Sequence, residues 1–492
     1  MTQNILVLDE GTTSTRAILY APDGKRLGVA QEELTQYYPR PGWVEHDAAE
    51  IWNKTLRCAR AMVEQAGGAN RIACVGIANQ RETVVAWDRQ TGEPLARAIV
   101  WQDRRTETRC AALREAGHEE EVQRLTGLVL DPYFSATKMR WLLEHEFAVA
   151  DAAQAERLAL GTVDSWLMFK LTGGAILTDA SNASRTLLLP LQGAQFDEKL
   201  CDVFGVPRSA LAKVVDNAGD LARCDPALLG AAIPITGMAG DQQAATIGQG
   251  CLQAGETKAT FGTGAFILTN MGEEVPRSAH RLLGTVLHQL GGRRSYALEG
   301  AVFVAGSLVK WLRDALGMIA SSAETEALAR SVEGSGGVVV VPALSGLGAP
   351  HWRADATASI SGLTFATTKA HLARAALEAI GHQAHDLAQA FAADGAEWRS
   401  LKIDGGMSAN GWMAQDLADI LGLPVERPGD VETTARGAAM LAAVGAGLYP
   451  SLEAAAEIMC GPVALFSPAM SDSVRKERLS RWRKALMGVL AN

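Results

Sequence analysis

The sequence predicts an α/β protein of two domains, and three observations lead to this. At 492 residues the chain is longer than one hydrophobic core usually covers. A short apolar strand, Ile5 to Leu8, ends in Asp9 and leads into a turn rich in glycine and hydroxyl residues. A related turn, Gly262-Thr263-Gly264, lies between two more strands halfway along the chain. The repeat of one local pattern in both halves indicates two domains of similar construction.

The first turn carries groups suited to a nucleotide. Asp9 is a candidate partner for magnesium, and the residues after it supply phosphate-facing donors and a cation, namely Gly11, Thr12, Thr13, Ser14, Thr15 and Arg16. A lone glycine and threonine turn is weak evidence, because ordinary hairpins contain it too. A third turn, at Gly405-Gly406, also follows a strand. We therefore expect two halves that grip one nucleotide without a Walker A sequence or a complete G-x-G-x-x-G.

The first half reads as a meander followed by alternating helices and strands. The predicted strands are Ile5 to Leu8, Arg16 to Tyr20, Leu27 to Glu33 with a turn at Asp23-Gly24, Ile72 to Ile77 and Ile233 to Thr236. A helix is predicted over Ala49 to Gln65. The glycines of Gly237 to Asp241 predict a loop after the last of these strands.

The second half repeats the strand-and-turn pattern from Thr257. We expect strands over Gly337 to Val341 and Leu401 to Ile403, and a long helix over His371 to Phe391, whose apolar residues recur every three or four positions. Ser408 is the candidate cap of the next helix. These patterns place the boundary near Gly248 to Gly255, which divides the chain into 1–248 and 249–492 with a tight hinge between them.

Composition excludes several classes of partner. The net charge of -9 disfavours a nucleic-acid surface, which needs a clustered excess of Lys and Arg. Seven scattered cysteines without a C-x-x-C pair predict reduced thiols in a cytoplasmic protein. The most apolar late stretch, Ala438 to Leu448, is shorter than the roughly 18 residues of a membrane span. We therefore expect small-molecule partners and no membrane insertion.

Several polar and aromatic residues are candidates for chemistry, each with a structural alternative. Asp241 can accept a proton from a substrate hydroxyl, or it can cap a helix. Arg81 and Glu82 can hold the hydroxyls of a polyol, or they can form a surface ion pair. Trp101 and Tyr133 are either aromatic platforms or core residues. His46, although flanked by acidic residues, is expected to be structural, and no histidine is assigned to catalysis.

At these residues the chain closely resembles the glycerol-phosphorylating branch of the FGGY carbohydrate kinase family. The resemblance runs from Ile5 to about Tyr449. It rests on the signature Tyr133 to His145 and on the stretches PGWVEHD, NQRET, GDQQAA, YALEGAVF and GLGAP. It implies two actin-like (ribonuclease H-like) ATPase domains with a hinge and an interdomain cleft. The first domain would mainly bind glycerol and the second mainly the nucleotide.

The implied activity is transfer of the γ-phosphoryl group of ATP to the 3-hydroxyl of glycerol, with Mg²⁺ and with Asp241 as general base. A homo-oligomer, either a dimer or a tetramer, is also implied. Asp9 would hold Mg²⁺ through water. By match to the family motifs, glycerol would contact Arg81, Glu82, Trp101, Tyr133, Asp241, Gln242 and Phe266. The nucleotide would contact Thr12, Thr13, Ser14, Arg16, Thr263, Gly306, Gly406 and Asn410.

Four positions depart from the family pattern. Glu10 replaces a usual Gln, and we expect it to add a negative charge beside the triphosphate. Lys310 also replaces a Gln, and Ala366 replaces a glycine in the second signature. Gly230-Ala231-Ala232 lacks the arginine of relatives that fructose 1,6-bisphosphate inhibits, so weak or absent inhibition is expected.

Two rival functions stay open at this point. One is an FGGY kinase for another small polyol or triose, such as erythritol, glyceraldehyde or dihydroxyacetone. The aromatic set with Arg81 and Glu82 favours glycerol, because a larger substrate needs a changed wall. The other is an inactive nucleotide-binding regulator, which would have no need for a base at Asp241.

Overall fold

The computed structural model describes residues 3–353 and 355–491. The strands are β1 (Asn4–Glu10), β2 (Ser14–Tyr20), β3 (Arg26–Glu33), β4 (Glu45–His46), β5 (Ile72–Asn79), β6 (Val84–Asp88), β7 (Ala98–Ile99), β8 (Leu158–Thr162), β9 (Leu177–Asp179), β10 (Lys213–Val215), β11 (Ala218–Arg223), β12 (Pro234–Gly240), β13 (Thr257–Phe261), β14 (Ala265–Gly272), β15 (Leu283–Leu290), β16 (Arg293–Val302), β17 (Val339–Val341), β18 (Ser359–Ser361), β19 (Leu401–Asp404), β20 (Val425–Pro428) and β21 (Val463–Phe466).

The helices are α1 (Ala48–Gln65), α2 (Glu107–Glu115), α3 (Glu119–Thr126), α4 (Ser135–His145), α5 (Phe147–Gln154), α6 (Val163–Thr172), α7 (Ala180–Ala183), α8 (Glu198–Phe204), α9 (Pro226–Leu229), α10 (Asp241–Gly248), α11 (Gly306–Asp314), α12 (Glu324–Arg330), α13 (Lys369–Ala393), α14 (Gly411–Leu421), α15 (Thr433–Gly445), α16 (Leu452–Met459) and α17 (Asp472–Leu490).

The first large sheet has the strand order β11-β12-β5-β1-β2-β3. Strands β1, β2 and β3 pair antiparallel in sequence, which confirms the predicted meander, while β5 runs parallel to both β1 and β12. Side chains of β1 alternate between two cores. Leu6 and Leu8 pack in the core that includes α1, and Ile5 and Val7 pack in the core that includes α15. The sheet is therefore buried on both faces.

The second large sheet has the order β15-β16-β14-β13-β19-β20-β21. As in the first sheet, its central strand β13 pairs antiparallel with the next strand in the chain and parallel with a later one, β19. The predicted helix over His371 to Phe391 lies within α13, and it buries Leu377, Ile380 and Leu387 in the core of this half. The two halves thus share one construction, as the repeated turns predicted.

Helices α10 and α15 pack closely enough for their backbones to touch. A Cβ atom added at Gly437 would lie 1.8 Å from the Ala244 carbonyl oxygen, and one at Gly248 would lie 2.0 Å from that of Thr433. Helix α15 follows a strand of the second sheet, yet it also covers the first sheet. The two halves are therefore joined by tightly packed helices.

Two local predictions are wrong. The stretch Gly237 to Gly240 continues strand β12 and is not a loop. Gly237 is needed there because an added Cβ would lie 2.3 Å from the Ala442 nitrogen. Helix α14 is capped by Asn410, which accepts from the Met413 N–H at 3.0 Å, whereas Ser408 donates to the Gly405 carbonyl.

The cysteines are all free thiols, as predicted. Within residues 3–353 and 355–491, no helix has both the length and the apolar composition that a bilayer crossing requires.

Candidate active site

Three of the seven residues predicted to hold a polyol, Trp101, Tyr133 and Phe266, line one cavity. This cavity of about 390 Å³ is lined by Trp101, Tyr133, Thr263, Gly264 and Phe266, together with neighbours from both halves of the chain. Trp101 lies edge-on to Tyr133 at 5.7 Å between ring centroids, and to Phe266 at 6.0 Å. These rings form one wall of the cavity, with Phe266 contributed by β14 of the second sheet.

The aromatic wall is bonded directly to the first glycine and hydroxyl turn. The indole N–H of Trp101 donates to Thr12 Oγ1 at 2.9 Å. The turn itself is closed by the bond from the Gly11 N–H to the Ser14 carbonyl at 3.0 Å, and the Thr13 carbonyl accepts from Leu34. The candidate polyol pocket and the candidate phosphate turn are therefore adjacent.

Arg81 and Glu82 follow the end of β5 and are almost fully buried, with 3% and 1% exposure. Because both side chains are buried, Arg81 and Glu82 do not form the surface ion pair that was the structural alternative in the sequence. Glu82 has a φ of 60°, an uncommon backbone conformation for a residue other than glycine. Such strain persists only where the surroundings fix it, and here the fixing contacts are ionic.

Asp241 is the first residue of α10, directly after the end of β12. Its Oδ1 atom lies 3.4 Å from Arg81 Nε and accepts from the Gln242 N–H at 2.7 Å. Burial raises the pKa of Asp241, while Arg81 and Lys258 oppose this shift. The N-cap of α10 is Gly240, so Asp241 does not cap this helix, which was the structural alternative to a role as base.

Gln242 is held by a buried cation. Lys258 Nζ donates to Gln242 Oε1 at 2.6 Å. Because the side-chain oxygen is occupied by the lysine, the amide NH₂ is the group left to donate to a ligand.

Asp9 and Arg16 form an ion pair at the other side of the first turn. Arg16 also donates to Glu432 at 2.6 Å, just before α15. Burial raises the pKa of Asp9, and Arg16 opposes the shift. Within the described ranges, no group of three or more His, Cys, Asp and Glu side chains could hold a metal ion.

The second turn contacts the start of α11. The Thr263 carbonyl accepts from the N–H groups of Ala305 and Ser307, both at 3.0 Å, and the Gly306 N–H donates to Gly262. A Cβ at Gly306 would lie 2.5 Å from the Gly262 carbonyl oxygen, so only glycine permits this approach.

The third turn packs against the same strand end. Gly405 has a φ of 83°, and a Cβ there would lie 2.6 Å from the Phe261 carbonyl oxygen. Gly406 begins the short turn that ends at Asn410. Asn410 Nδ2 donates to Thr325 at 3.3 Å. The predicted nucleotide residues of the second half therefore surround the end of β13 and the start of α11.

The expectation for Glu10 is wrong. Glu10 is fully buried, where its Oε2 atom accepts from Thr55 Oγ1 of α1 at 2.7 Å. Burial raises the pKa of Glu10 to about 8, so the group is mostly neutral at pH 7. It adds no full negative charge beside the first turn.

Three charged residues of the site were missed by the sequence predictions, namely Arg185, Lys258 and Glu299. All three are fully buried. Glu299 accepts from both Arg81 and Arg185, and these two arginines overcome burial to lower its pKa to about 2. For Lys258 and Glu299 the sequence does contain a signal. Each is the single charged residue of an otherwise buried strand segment, namely β13 and the end of β16.

Family models match both halves of the chain. The model for the N-terminal domain of the FGGY family of carbohydrate kinases matches residues 4–248, and that for the C-terminal domain matches residues 257–446. The chain belongs to the FGGY family of carbohydrate kinases. It is 52% identical over 488 residues to a glycerol kinase of Alcanivorax borkumensis, covering 99% of this chain and 98% of that protein. It is 49% identical over 491 residues to a glycerol kinase of Rhodospirillum rubrum, covering 99% of both.

Two solved kinases have the same fold. A crystal structure of Plasmodium falciparum glycerol kinase with ADP has a TM-score of 0.92 and 36% identity, covering 99% of this chain and 98% of that one. A xylulose kinase from Lactobacillus acidophilus has a TM-score of 0.89 at 21% identity, covering 100% and 99%, which shows likeness of fold alone. The predicted two-domain, actin-like α/β architecture of the FGGY kinases is confirmed.

Proposed function

We propose that this protein transfers the γ-phosphoryl group of ATP to the 3-hydroxyl of glycerol, giving sn-glycerol 3-phosphate and ADP. The observation that carries the proposal is the position of Asp241, with Arg81 3.4 Å away on the polyol side and Lys258 held beneath Gln242. A carboxylate at this junction is suited to accept the proton of an attacking hydroxyl. The glycerol kinases that are about half identical over nearly the whole chain support glycerol as acceptor.

The aromatic cavity and the charged residues behind it are proposed to supply complementary groups for a small, hydroxyl-rich acceptor. Arg81 donates to a substrate hydroxyl and Glu82 accepts from one, while Gln242 and Tyr133 add polar contacts. Trp101 and Phe266 pack on the carbon atoms. A wall of three rings around about 390 Å³ leaves little space for a long sugar.

The nucleotide side is proposed to use the three glycine turns, which supply N–H groups, hydroxyls and one arginine. The ADP in the Plasmodium falciparum glycerol kinase structure supports a nucleotide as a ligand of this fold. The proposed contacts are Thr12, Thr13, Ser14 and Arg16 from the first half, and Thr263, Gly306, Gly406 and Asn410 from the second.

Asp9 is the residue proposed to hold Mg²⁺. Magnesium in kinases is bound by one or two carboxylates and by substrate phosphates, and it keeps several waters. One buried carboxylate beside the first turn fits this arrangement. When bound, Mg²⁺ neutralises charge on the phosphate oxygens.

The chain itself contributes position and charge to the reaction. Asp241 takes the hydroxyl proton, and Arg81 and Glu82 orient the acceptor in line with the γ-phosphorus. Arg16 and the N–H groups of the turns stabilise charge that moves onto oxygen. No covalent intermediate is needed. Closure of the cleft around both substrates excludes water and so limits ATP hydrolysis.

We also propose that 1–248 mainly binds glycerol and 249–492 mainly the nucleotide, with a hinge between them. The assembly is proposed to be a dimer or tetramer, and size-exclusion chromatography with light scattering tests this. Seven free thiols support a reducing, cytoplasmic location.

Identification of the product tests the proposal. The purified protein is incubated with Mg-ATP and glycerol, and the product is offered to a dehydrogenase specific for sn-glycerol 3-phosphate. Complete oxidation supports transfer to the 3-hydroxyl. A phosphorylated product that this dehydrogenase leaves untouched would contradict it.

A further inference from the structure

A closed ring of four buried ionic side chains, Arg81, Glu82, Arg185 and Glu299, lies directly behind the aromatic wall of the cavity. Arg81 donates to the Tyr133 hydroxyl, and Arg185 lies over the Tyr133 ring. We infer that two members of the closed ring, Arg185 and Glu299, are positioning residues that make the site selective for a vicinal diol. The inference rests on the proposed function, because it concerns how Arg81 and Glu82 are presented to the acceptor.

The ring alternates cations and anions. Arg81 Nη1 lies 2.6 Å from Glu299 Oε2, and Glu299 Oε1 lies 3.0 Å from Arg185 Nη2. Arg185 Nε lies 2.6 Å from Glu82 Oε1, which is 3.8 Å from Arg81 Nε. The four side chains are at most 2% exposed. Two positive and two negative side chains compensate each other, so the ring has no net charge although water does not reach it.

The longest side of the ring is the one between the two proposed substrate residues. Arg81 and Glu82 are adjacent in the chain and of opposite charge, so an isolated pair would bond to each other. The terminal guanidinium nitrogens of Arg81 donate to Glu299, and Arg185 donates to Glu82 Oε1. The remaining distance, from Arg81 Nε to Glu82 Oε1, is 3.8 Å and too long for a hydrogen bond. Each residue therefore remains a separate donor or acceptor.

The guanidinium plane of Arg81 is fixed in every direction but one. Its two terminal nitrogens both donate to Glu299, at 2.6 and 3.0 Å. They also donate to Gln243 and Tyr133, each at 3.3 Å. The remaining edge, at Nε, faces Asp241. A bidentate carboxylate contact of this kind fixes orientation as well as position.

The ring also spans the two halves of the chain. Glu299 lies on β16 of the second sheet, whereas Arg81 and Glu82 follow β5 of the first, and Arg185 follows α7. Contacts across the halves therefore hold the polyol site in place before a substrate arrives, which reduces the ordering that binding requires.

A fixed donor beside a fixed acceptor matches two neighbouring hydroxyls, since each hydroxyl can both donate and accept. An acceptor without the middle hydroxyl leaves one of the two buried groups unpaired, and that is strongly disfavoured. Arg185 and Glu299 thus act on acceptor choice without touching the acceptor.

The test is the double variant Arg185→Leu with Glu299→Gln, which removes one charge of each sign. We expect a melting temperature near that of the wild type, a KM for glycerol raised about thirtyfold, and a KM for ATP changed less than about twofold. We also expect the preference for glycerol over propane-1,3-diol, as a ratio of kcat/KM values, to fall about tenfold. The exposed pair Arg208 and Glu198, 2.9 Å apart, provides the matched control Arg208→Leu with Glu198→Gln.

The inference would be overturned if the folded double variant had the wild-type KM for glycerol and the wild-type preference for glycerol over propane-1,3-diol. If that variant does not fold, the KM for glycerol and the preference over propane-1,3-diol are measured in Arg185→Lys instead. A lysine keeps the positive charge but cannot donate to Glu82 and Glu299 from two separate nitrogens. If the wild type does not phosphorylate glycerol, the proposed function fails separately. Calorimetric titration of glycerol into wild type and double variant then decides the inference, and equal affinity would overturn it.

Discussion

The proposed reaction depends on one carboxylate, Asp241, whose surroundings keep it available as a base. Burial raises its pKa, and the cations Arg81 and Lys258 oppose that shift. Without these cations the pKa of Asp241 would be higher, so the group would more often be protonated already and unable to accept the proton of a hydroxyl. The charge of Asp241 is therefore expected to be essential for turnover and not for nucleotide binding.

Asp241→Asn is expected to lower kcat at least about 100-fold, because the amide cannot accept the hydroxyl proton. Binding of ADP, measured by calorimetry, should change less than about threefold. Asp197→Asn, which alters the cap of α8, is the matched control and should keep wild-type kcat. Undiminished turnover in Asp241→Asn would exclude this residue as the base.

Among single residues, the sequence could predict a joint role for neighbours in the chain, but not a contact between residues that are far apart in the chain. Arg81 and Glu82 are adjacent, so their joint role was visible in the sequence. Glu299 and Arg81 are separated by 218 positions, and only the fold brings them within 2.6 Å. For Glu10, the sequence shows a charge, whereas burial against α1 decides that the group is mostly neutral.

The elements that join the halves, α10 and α15, depend on glycines at their contact. Gly437→Ala places a Cβ 1.8 Å from the Ala244 carbonyl oxygen, so one helix must move. We expect a loss of about 2 kcal/mol or more in the free energy of unfolding, measured with urea. Gly461→Ala, two residues after the end of α16, is the matched control, since its added Cβ meets no described atom within 4 Å. Equal stability of the two variants would refute this close packing.

The strand β4 carries His46, a buried histidine that should make the fold sensitive to acid. Burial lowers the pKa of His46 from 6.5 to about 4. Between these values the unfolded chain binds a proton that the folded chain does not, so stability falls as the pH falls from 6.5 to 4.

His46→Gln removes this titration. Over that pH range the wild type should lose about 3 kcal/mol more unfolding free energy than the variant does. Urea unfolding at pH 4.5, 5.5 and 7 measures the difference. Parallel pH profiles for the two proteins would contradict the assignment.

Elements with clear periodicity could be predicted from the sequence, and elements shaped by a distant neighbour could not. The helix α13 and the meander β1 to β3 follow from spacing within each segment. The end of β12 looks like a loop because it is rich in glycine. The glycine at 237 serves packing against α15, some 200 residues later in the chain, and no local pattern reveals that.

In the whole molecule, the two FGGY halves together line the aromatic cavity, which adjoins the first glycine and hydroxyl turn. The three turns come from distant parts of the chain, and the sheets bring them to one cleft. The fold class could be predicted because the same strand and turn pattern occurs twice.

Regulation by sugar bisphosphates is a prediction for the whole enzyme. Gly230 to Ala232, which follow α9, offer no cation to a phosphate group. Fructose 1,6-bisphosphate is expected to inhibit turnover weakly or not at all. Initial rates at increasing concentrations of the bisphosphate measure this, and an inhibition constant in the range of the regulated relatives would contradict the prediction.

The most direct test of the central claim is acceptor-dependent release of ADP by the purified protein with Mg-ATP. The acceptors are glycerol, erythritol, dihydroxyacetone and xylulose, with a reaction lacking acceptor as the baseline. We expect strong stimulation by glycerol and little by the other acceptors. Stimulation mainly by another acceptor, or by none of them, would contradict the assignment of this FGGY kinase to glycerol.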